Sequence, residues 1–460
     1  VIVILNQRLR LNSTVMSASK RVLSLVVTAV IVYTALSLLS FFIPLGIIAF
    51  DKINLLADLL KVEARREEPV VKKRAVVETH VEKSDSGRID FDRYKMANLI
   101  TDFKTHAGPS LESLMVKLSE LKKGKKRKVR IAYIGDSMIE GDQISGTLRD
   151  SLQAAYGGAG VGFLSIHTNV GNFRHSATIK AAGWNDTNFK SPASKNLYLS
   201  GHYFTGHGRG TYSDKSIRQQ TRPMLEKSLL FGINANHTIG VDGRNILLRG
   251  QNLVNRQVLS IDTSTVLQLE NTGGELLYGV SFESESGVIV DNFSFRGISG
   301  SEFRKLDPEF MEAIQQANHY DLIILHYGAN LIYKPSDANF EFYEHAVMPV
   351  FKRFRSSFPD SDFLLISAGD IAFRYNGNYS TAIGLPKLLE TQAQLALRNK
   401  FAFFNLFASM GGQGSIISWA NHHPAWAIKD YVHPTEDGSQ VIGAMLYKAI
   451  QHEYKKLPIQ

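Results

Sequence analysis

The run "IAYIGDS" at 131–137 is apolar until it breaks into Gly, Asp and Ser, which sets Ser137 at the lip of a predicted buried strand. A serine there has chemistry available only if a base, an orienting acid and donors for an oxyanion come to it. The base and acid are at hand in "KDYVHPTEDG", where Asp430 and His433 stand three residues apart in a loop and can converge on one hydroxyl. Pro434 favours an extended His433, so a helix does not run through the pair. Two further turns carry the right groups for an oxyanion: "FRGISG", with Gly297 and Gly300 as competing backbone donors, and "GAN", with Gly328 and the side chain of Asn330.

The elements around these turns alternate. "KVRIAYIG" reads as a buried strand. The helix after it has Ile144, Leu148 and Leu152 on one face, Asp142 as its expected N-cap, and Gly157–Gly158 as its stop. Leu111, Leu114, Leu118 and Leu121 predict a short amphipathic helix upstream. After about residue 290 the rhythm returns: "DLIILHYGAN" and "DFLLISAGD" as strands, "FEFYEHAVMPVFKRFRSSF" as a helix, then "PKLLETQAQLALRNK" with Pro386 in its first turn, "FAFFNLF" and a last helix. Ligands of open α/β sheets bind at the carboxyl ends of strands, where three of the four turns fall. Between 171 and 289, short β-type runs punctuated by Gly, Asn and Asp predict an all-β insert, a sandwich.

The four turns, in this order and in this α/β rhythm, resemble the SGNH (GDSL) hydrolase family. "GDS" matches its first block, with Met138 where Leu is usual. "NFSFRGIS" resembles the second, "GAN" the third and "DYVH" the fifth. The resemblance implies a flavodoxin-like three-layer α/β/α domain with a parallel sheet, built from 108–170 and 290–460. It implies a catalytic triad of Ser137, Asp430 and His433, and an oxyanion hole made by the Ser137 and Gly297 amides and the Asn330 side chain, with no cofactor. "NLFASMGGQGSIISWANHHPAWAIKDYVHPTEDGSQVIG", with a β insert between the first and second blocks, is similar to the bacterial peptidoglycan O-acetylesterases. That narrower resemblance implies an acetylated envelope polysaccharide as substrate and a carbohydrate-binding role for the insert. The same residues also fit an O-acetyltransferase served by a membrane-bound acyltransferase, and a glycan-binding scaffold without catalysis is the third reading.

The N-terminus sets the expected location. Val22 to Phe50 holds no charged residue, and Val22–Ile43, ahead of Pro44, spans roughly 33 Å as a helix. It is too long for a cleaved signal. Arg8, Arg10, Lys20 and Arg21 precede it without an acid among them, so an anchor at 22–50 puts a tail at 1–21 inside and the rest outside the inner membrane, in the periplasm. Val1 or Met16 serves equally as the start. Charge-rich 51–107, broken by Pro69, reads as a stalk.

Composition narrows the rest. The 460 residues hold no Cys, which excludes disulfides, a thiolate nucleophile and Cys-ligated zinc. Net charge is +9, part of it in "LKKGKKRKVR", a solvated approach to the first strand with no interleaved aromatics, so no nucleic-acid partner is expected. His326, His422 and His423 lack carboxylates at ligand spacing, and no metal is expected. Trp184 and Trp426 are the candidates for stacking on a sugar, Trp426 as a substrate-binding residue near the site.

Overall fold

The strand carrying "IAYIG" is Lys128–Gly135, and all but its first residue are buried. Burial on both faces is what a central parallel strand requires, and it explains the continuous apolar run. In the computed structural model the described residues are 87–458, except 169–172, 193, 218–221, 235, 236 and 272, together with Val26, Val27, Thr28, Val30 and Val32. The chain divides into two units, Val1–Glu82 and Lys83–Gln460. Of the first, only those five residues are described, as helical and exposed. The expected tail, the anchor apart from those five, and the stalk up to residue 86 lie outside the described residues. No helix among the described residues is long and apolar enough to cross a membrane.

In the second unit the order is β1 (Ile100–Thr101), α1 (Glu112–Lys122), β2 (Lys128–Gly135), α2 (Gln143–Tyr156) and β3 (Gly162–Ser165). Ten short strands follow: β4 (Ala177–Ala182), β5 (Asn185–Asn188), β6 (His202–Thr205), β7 (Arg209–Asp214), β8 (Leu225–Phe231), β9 (Thr238–Val241), β10 (Arg244–Leu247), β11 (Asn255–Asp262), β12 (Val266–Asn271) and β13 (Leu277–Glu283). Then come β14 (Gly287–Ser294), α3 (Pro308–Asn318), β15 (Tyr320–His326), α4 (Glu341–Ser357), β16 (Asp362–Ile366), β17 (Ala372–Tyr375) and β18 (Asn378–Thr381). The chain closes with α5 (Leu385–Arg398), β19 (Ala402–Phe404), α6 (Leu406–Met410), α7 (Ser415–Ala420) and α8 (Glu436–Tyr454).

The central sheet runs β1-β19-β16-β15-β2-β14, parallel except for β1. Alternate residues of β2 enter two cores. Val129, Ile131 and Tyr133 pack with Leu114, Leu148, Ile442 and Leu446 from α1, α2 and α8. Ala132 and Ile134 pack with Phe310, Phe351 and Leu388 from α3, α4 and α5. Helices thus cover both faces, giving three layers.

The strands of the β-rich segment form two antiparallel sheets, β10-β9-β12-β7-β4 and β11-β8-β13-β6-β5, with β3 added to β13. Tyr212 and Leu267 of the first share one core with Leu229 and Val280 of the second. The segment leaves the α/β layer between Tyr156 and Gly162, ahead of residue 171, and returns between Glu283 and Gly287.

Two expectations are corrected. The stalk does not extend to residue 107. Ile100 and Phe103 are buried, β1 pairs antiparallel with β19, and the Phe91 ring lies 5.9 Å from that of Phe103. Apolar side chains spaced among the charges of this stretch cover an edge of the sheet that would otherwise be open. Asp142 occupies the N-cap position of α2 but does not cap, since its φ is +65° and its side chain makes no capping bond. Its carboxylate is instead buried between Arg149 (2.8 Å) and Arg174 (3.3 Å) and takes hydrogen bonds from Ser145 (2.5 Å), Asn292 (3.1 Å) and Ser176. Burial alone would raise its pKa; the two guanidiniums more than offset that and hold it well below the usual carboxylate range.

Candidate active site

Three of the four turns are set side by side by strand register. Gly135 of β2 is level with Ser294 of β14 on one side and His326 of β15 on the other. Each chain leaves the sheet just beyond that rung, so Ser137, Gly297 and Asn330 emerge together. Asp136 is fully buried and accepts the amide of Met138 (3.0 Å), which bends the chain into the single turn Ser137–Ile139. Its other oxygen accepts Nδ2 of Asn330 (2.9 Å), and the same nitrogen donates to the carbonyl of Ile298 (3.0 Å). One carboxylate and one amide therefore lash the three turns together. Burial pushes the Asp136 carboxyl up to about 6, against the opposing pull of the Met138 amide, His433 and Asn330.

The fourth turn reaches the serine from the loop before α8. His433 Nε2 lies 3.2 Å from Ser137 Oγ, and His433 Nδ1 lies 2.7 Å from Asp430 Oδ2. A carboxylate only accepts, so the neutral ring carries its proton on Nδ1 and offers Nε2 to the serine hydroxyl. Asp430 is fixed through Oδ1, which accepts the amides of Val432 (2.9 Å) and His433 (3.0 Å). Tyr431 between them has φ +56°, a left-handed turn that brings both ends of the tetrapeptide to one side. The loop is pinned at its base, where Ile428 N–H donates to His433 O (3.0 Å) and Thr435 N–H to Trp426 O (3.0 Å). The Thr435 hydroxyl then caps α8. The His433 and Asp430 side chains remain 41% and 39% exposed, so a substrate reaches them from solvent.

The structure thus brings Ser137, His433 and Asp430 into one relay, with Asn330 and the Gly297 turn beside it. Gly297 has φ +77° and open space where a Cβ would stand, whereas Gly300 is filled by the Tyr327 ring. Of the two competing backbone donors, Gly297 is the one on open ground. Both N–H groups of Asn330 are engaged, so it offers an oxyanion no free donor in this conformation. Gly328, at φ +142° and with Ala368 Cβ 2.6 Å from where its own Cβ would be, leaves no room for a side chain in that turn.

The side chains of the remaining candidates make no hydrogen bond to Ser137, His433 or Asp430. Trp426 is half-buried, with the His422 ring stacked on it at 3.8 Å and Trp419 edge-on at 5.5 Å. Trp184 packs on Gly208 within the insert and donates to Arg209 O (3.3 Å). His326 is buried against Tyr133 OH (3.1 Å), and burial pushes it down to about 4, which keeps it neutral. His423 is exposed. Among the described residues no group of three or more His, Cys, Asp or Glu is placed to hold a metal.

Two participants were not singled out from sequence. From the sequence Asp136 reads only as part of a polar turn, although its place directly before the serine is the available signal. The hairpin β17–β18 gave no strong pattern, yet Ala372 N–H donates to Tyr431 O (3.1 Å) and the Tyr379 ring lies 4.3 Å from that of Tyr431, bracing the histidine loop.

No protein-family model matches the chain, and no curated protein matches it. A solved structure described as "Peptidoglycan O-acetylesterase in action" superposes with a TM-score of 0.64 at 22% identity, covering 76% of this chain and 99% of that one. The chain shares the fold of that structure. The family two carbohydrate esterase from Cellvibrio japonicus (TM-score 0.26, 10% identity, 61% of this chain and 100% of that one) and the acetylxylan esterase Axe2 from Geobacillus stearothermophilus (0.27, 16%, 37% and 74%) are too distant in shape to add to the argument.

Proposed function

We propose that the chain is a serine esterase that removes O-acetyl groups from a cell-envelope polysaccharide, peptidoglycan first among them. The observation that carries this reading is the unbroken relay Asp430–His433–Ser137 at the mouth of an SGNH fold. Ser137 Oγ attacks the acetyl carbonyl while His433 Nε2 takes its proton. The C–O bond to the sugar then breaks, and the imidazolium returns the proton to the departing sugar oxygen. Water, deprotonated by His433, clears the acetyl-enzyme as acetate. Asp430 stabilises the imidazolium and keeps the ring oriented. The amides of Ser137 and Gly297 receive the oxyanion, and Asn330 joins them by releasing Ile298 O. With Val22–Ile43 as an inner-membrane anchor, the site works on the periplasmic side, where such a polymer lies.

Acetate release from O-acetylated peptidoglycan, with acetylated xylan in parallel, tests the reading. The wild type should release acetate from peptidoglycan in preference to xylan, and Ser137→Ala should lose at least about a thousandfold in rate. Full activity in the variant, or release from xylan alone, overturns it.

A further inference from the structure

A cavity of about 240 Å³ opens where the β insert meets the β14 edge of the central sheet. It adjoins the site through two residues of its wall. Glu140 stands three residues past Ser137, and Arg296 directly precedes Gly297; the two are ion-paired. The insert supplies most of the opposite wall.

Several observations define what the cavity accepts. Ser165 and Ser200 belong to its wall, and their hydroxyls are buried and have no hydrogen-bond partner among the described residues. Ser200 as a whole is only 4% exposed. Buried polar groups without partners are costly and rare, so these two are poised for a ligand that supplies donors and acceptors. The cations of the wall are unequally satisfied. Arg174 is neutralised by Asp142 and Arg296 by Glu140, whereas Lys190 has no carboxylate partner among the described residues. Its ammonium lies 5.8 Å from the centroid of the Phe295 ring, which also lines the cavity. His202 is held through Nδ1 by Asp186 (2.7 Å), which leaves Nε2 as the ring's remaining polar atom. Phe163 and Phe295 add apolar faces. The volume falls just below the ~300–1,000 Å³ typical of drug-sized ligands, which suits one ring and its substituent but no longer chain.

We propose that this cavity is a second subsite that binds a carboxylate-bearing sugar ring of the polysaccharide whose acetyl ester is presented to Ser137. The ring hydroxyls satisfy Ser165 and Ser200, its apolar face meets the aromatic rings, and the carboxylate pairs with Lys190. The identity of the polymer rests on the esterase reading above, within which the lactyl carboxylate of muramic acid is the anion; the acidic-sugar preference stands by itself.

Saturation-transfer NMR of the full chain with N-acetylmuramic acid, and with N-acetylglucosamine as its counterpart lacking the carboxylate, tests the subsite directly. The acidic sugar should bind at least about fivefold more tightly, and Lys190→Glu and Ser200→Ala should each weaken it about tenfold. Ser200→Ala removes a hydroxyl that stabilises nothing in the unliganded fold, so its loss of binding does not report misfolding. In parallel, kcat/KM on O-acetylated peptidoglycan should fall about tenfold further than on para-nitrophenyl acetate in both variants. Equal binding of the two sugars, no binding by the wild type, or variants that bind like the wild type overturn the proposal. Failure of the esterase reading is seen separately, as no acetate release from peptidoglycan by a wild type that still discriminates the two sugars.

Discussion

The hydrogen bonds of Asn330 set a demand on the catalytic cycle. Its Nδ2 holds Asp136 and Ile298 O, yet the proposed mechanism asks it to donate to an oxyanion. Asn330→Ala should therefore cut kcat by about 10²–10³-fold, the usual cost of one oxyanion donor. Steady-state kinetics on para-nitrophenyl acetate would show it as a kcat effect with KM little changed. Asp136 makes a prediction in pH. Its folded-state carboxyl titrates near 6, above the ordinary carboxylate value, so between those two values the folded state holds a proton that the unfolded chain has lost. Its contribution to stability is present at acid pH and is lost as pH rises toward 6 and beyond. Asp136→Asn cannot titrate there and keeps an oxygen for Asn330. Urea unfolding at pH 4 and pH 7 should show the variant gaining on the wild type at the higher pH; a constant gap between them would refute this.

At the scale of elements, the site depends on how each segment is fastened. Asp142 is buried where α2 begins, and it joins α2 through Arg149 and Ser145 to β14 through Asn292 and to the start of the insert through Arg174 and Ser176. Asp142→Ala leaves two buried guanidiniums without their counter-charge and should destabilise by about 3–5 kcal/mol. Denaturant unfolding measures this, and a loss below about 1 kcal/mol would mean that the cluster contributes little. The edge of the sheet is equally testable. Phe103 lies in the core beside Phe403 (centroids 6.3 Å apart), so Phe103→Ala should cost about 3–5 kcal/mol although the residue falls in a stretch that reads as a stalk. The same experiment on the exposed Ile89 should cost far less.

At the scale of the whole molecule, the insert and the α/β layer are joined by charge as well as by packing. Glu283, fully buried at the end of β13, faces Arg130 (2.5 Å), Arg256 (2.6 Å) and Lys128 (2.7 Å), and Asp291 takes the second contact of Arg130 (3.1 Å). β13 of the insert and β14 of the central sheet thus share one ionic knot where the chain passes between layers. The sequence by itself made Ser137, Asp430 and His433 candidates, because each sits in a short local pattern, a strand ending in "GDS" and a tetrapeptide with acid and histidine three apart; that they belong to one site was implied by the resemblance of the four turns to a known family, and Asp136 stood out in neither. The sequence also carried the α/β rhythm and the β character of the insert, since side-chain period and turn chemistry are written within short windows. The tertiary structure decided what depends on distant partners. Asp142 has the composition of a cap and becomes a buried counter-ion only because Arg174 and Asn292 arrive from other elements. Residues 87–107 have the charge of a linker and become a sheet edge only because β19 offers a strand to pair with. The seam cavity has no sequence signature at all, because Ser165, Lys190, Ser200 and Phe295 become neighbours only when the insert folds back on β14, and burial in that seam is what turns ordinary serines into unpaired hydroxyls.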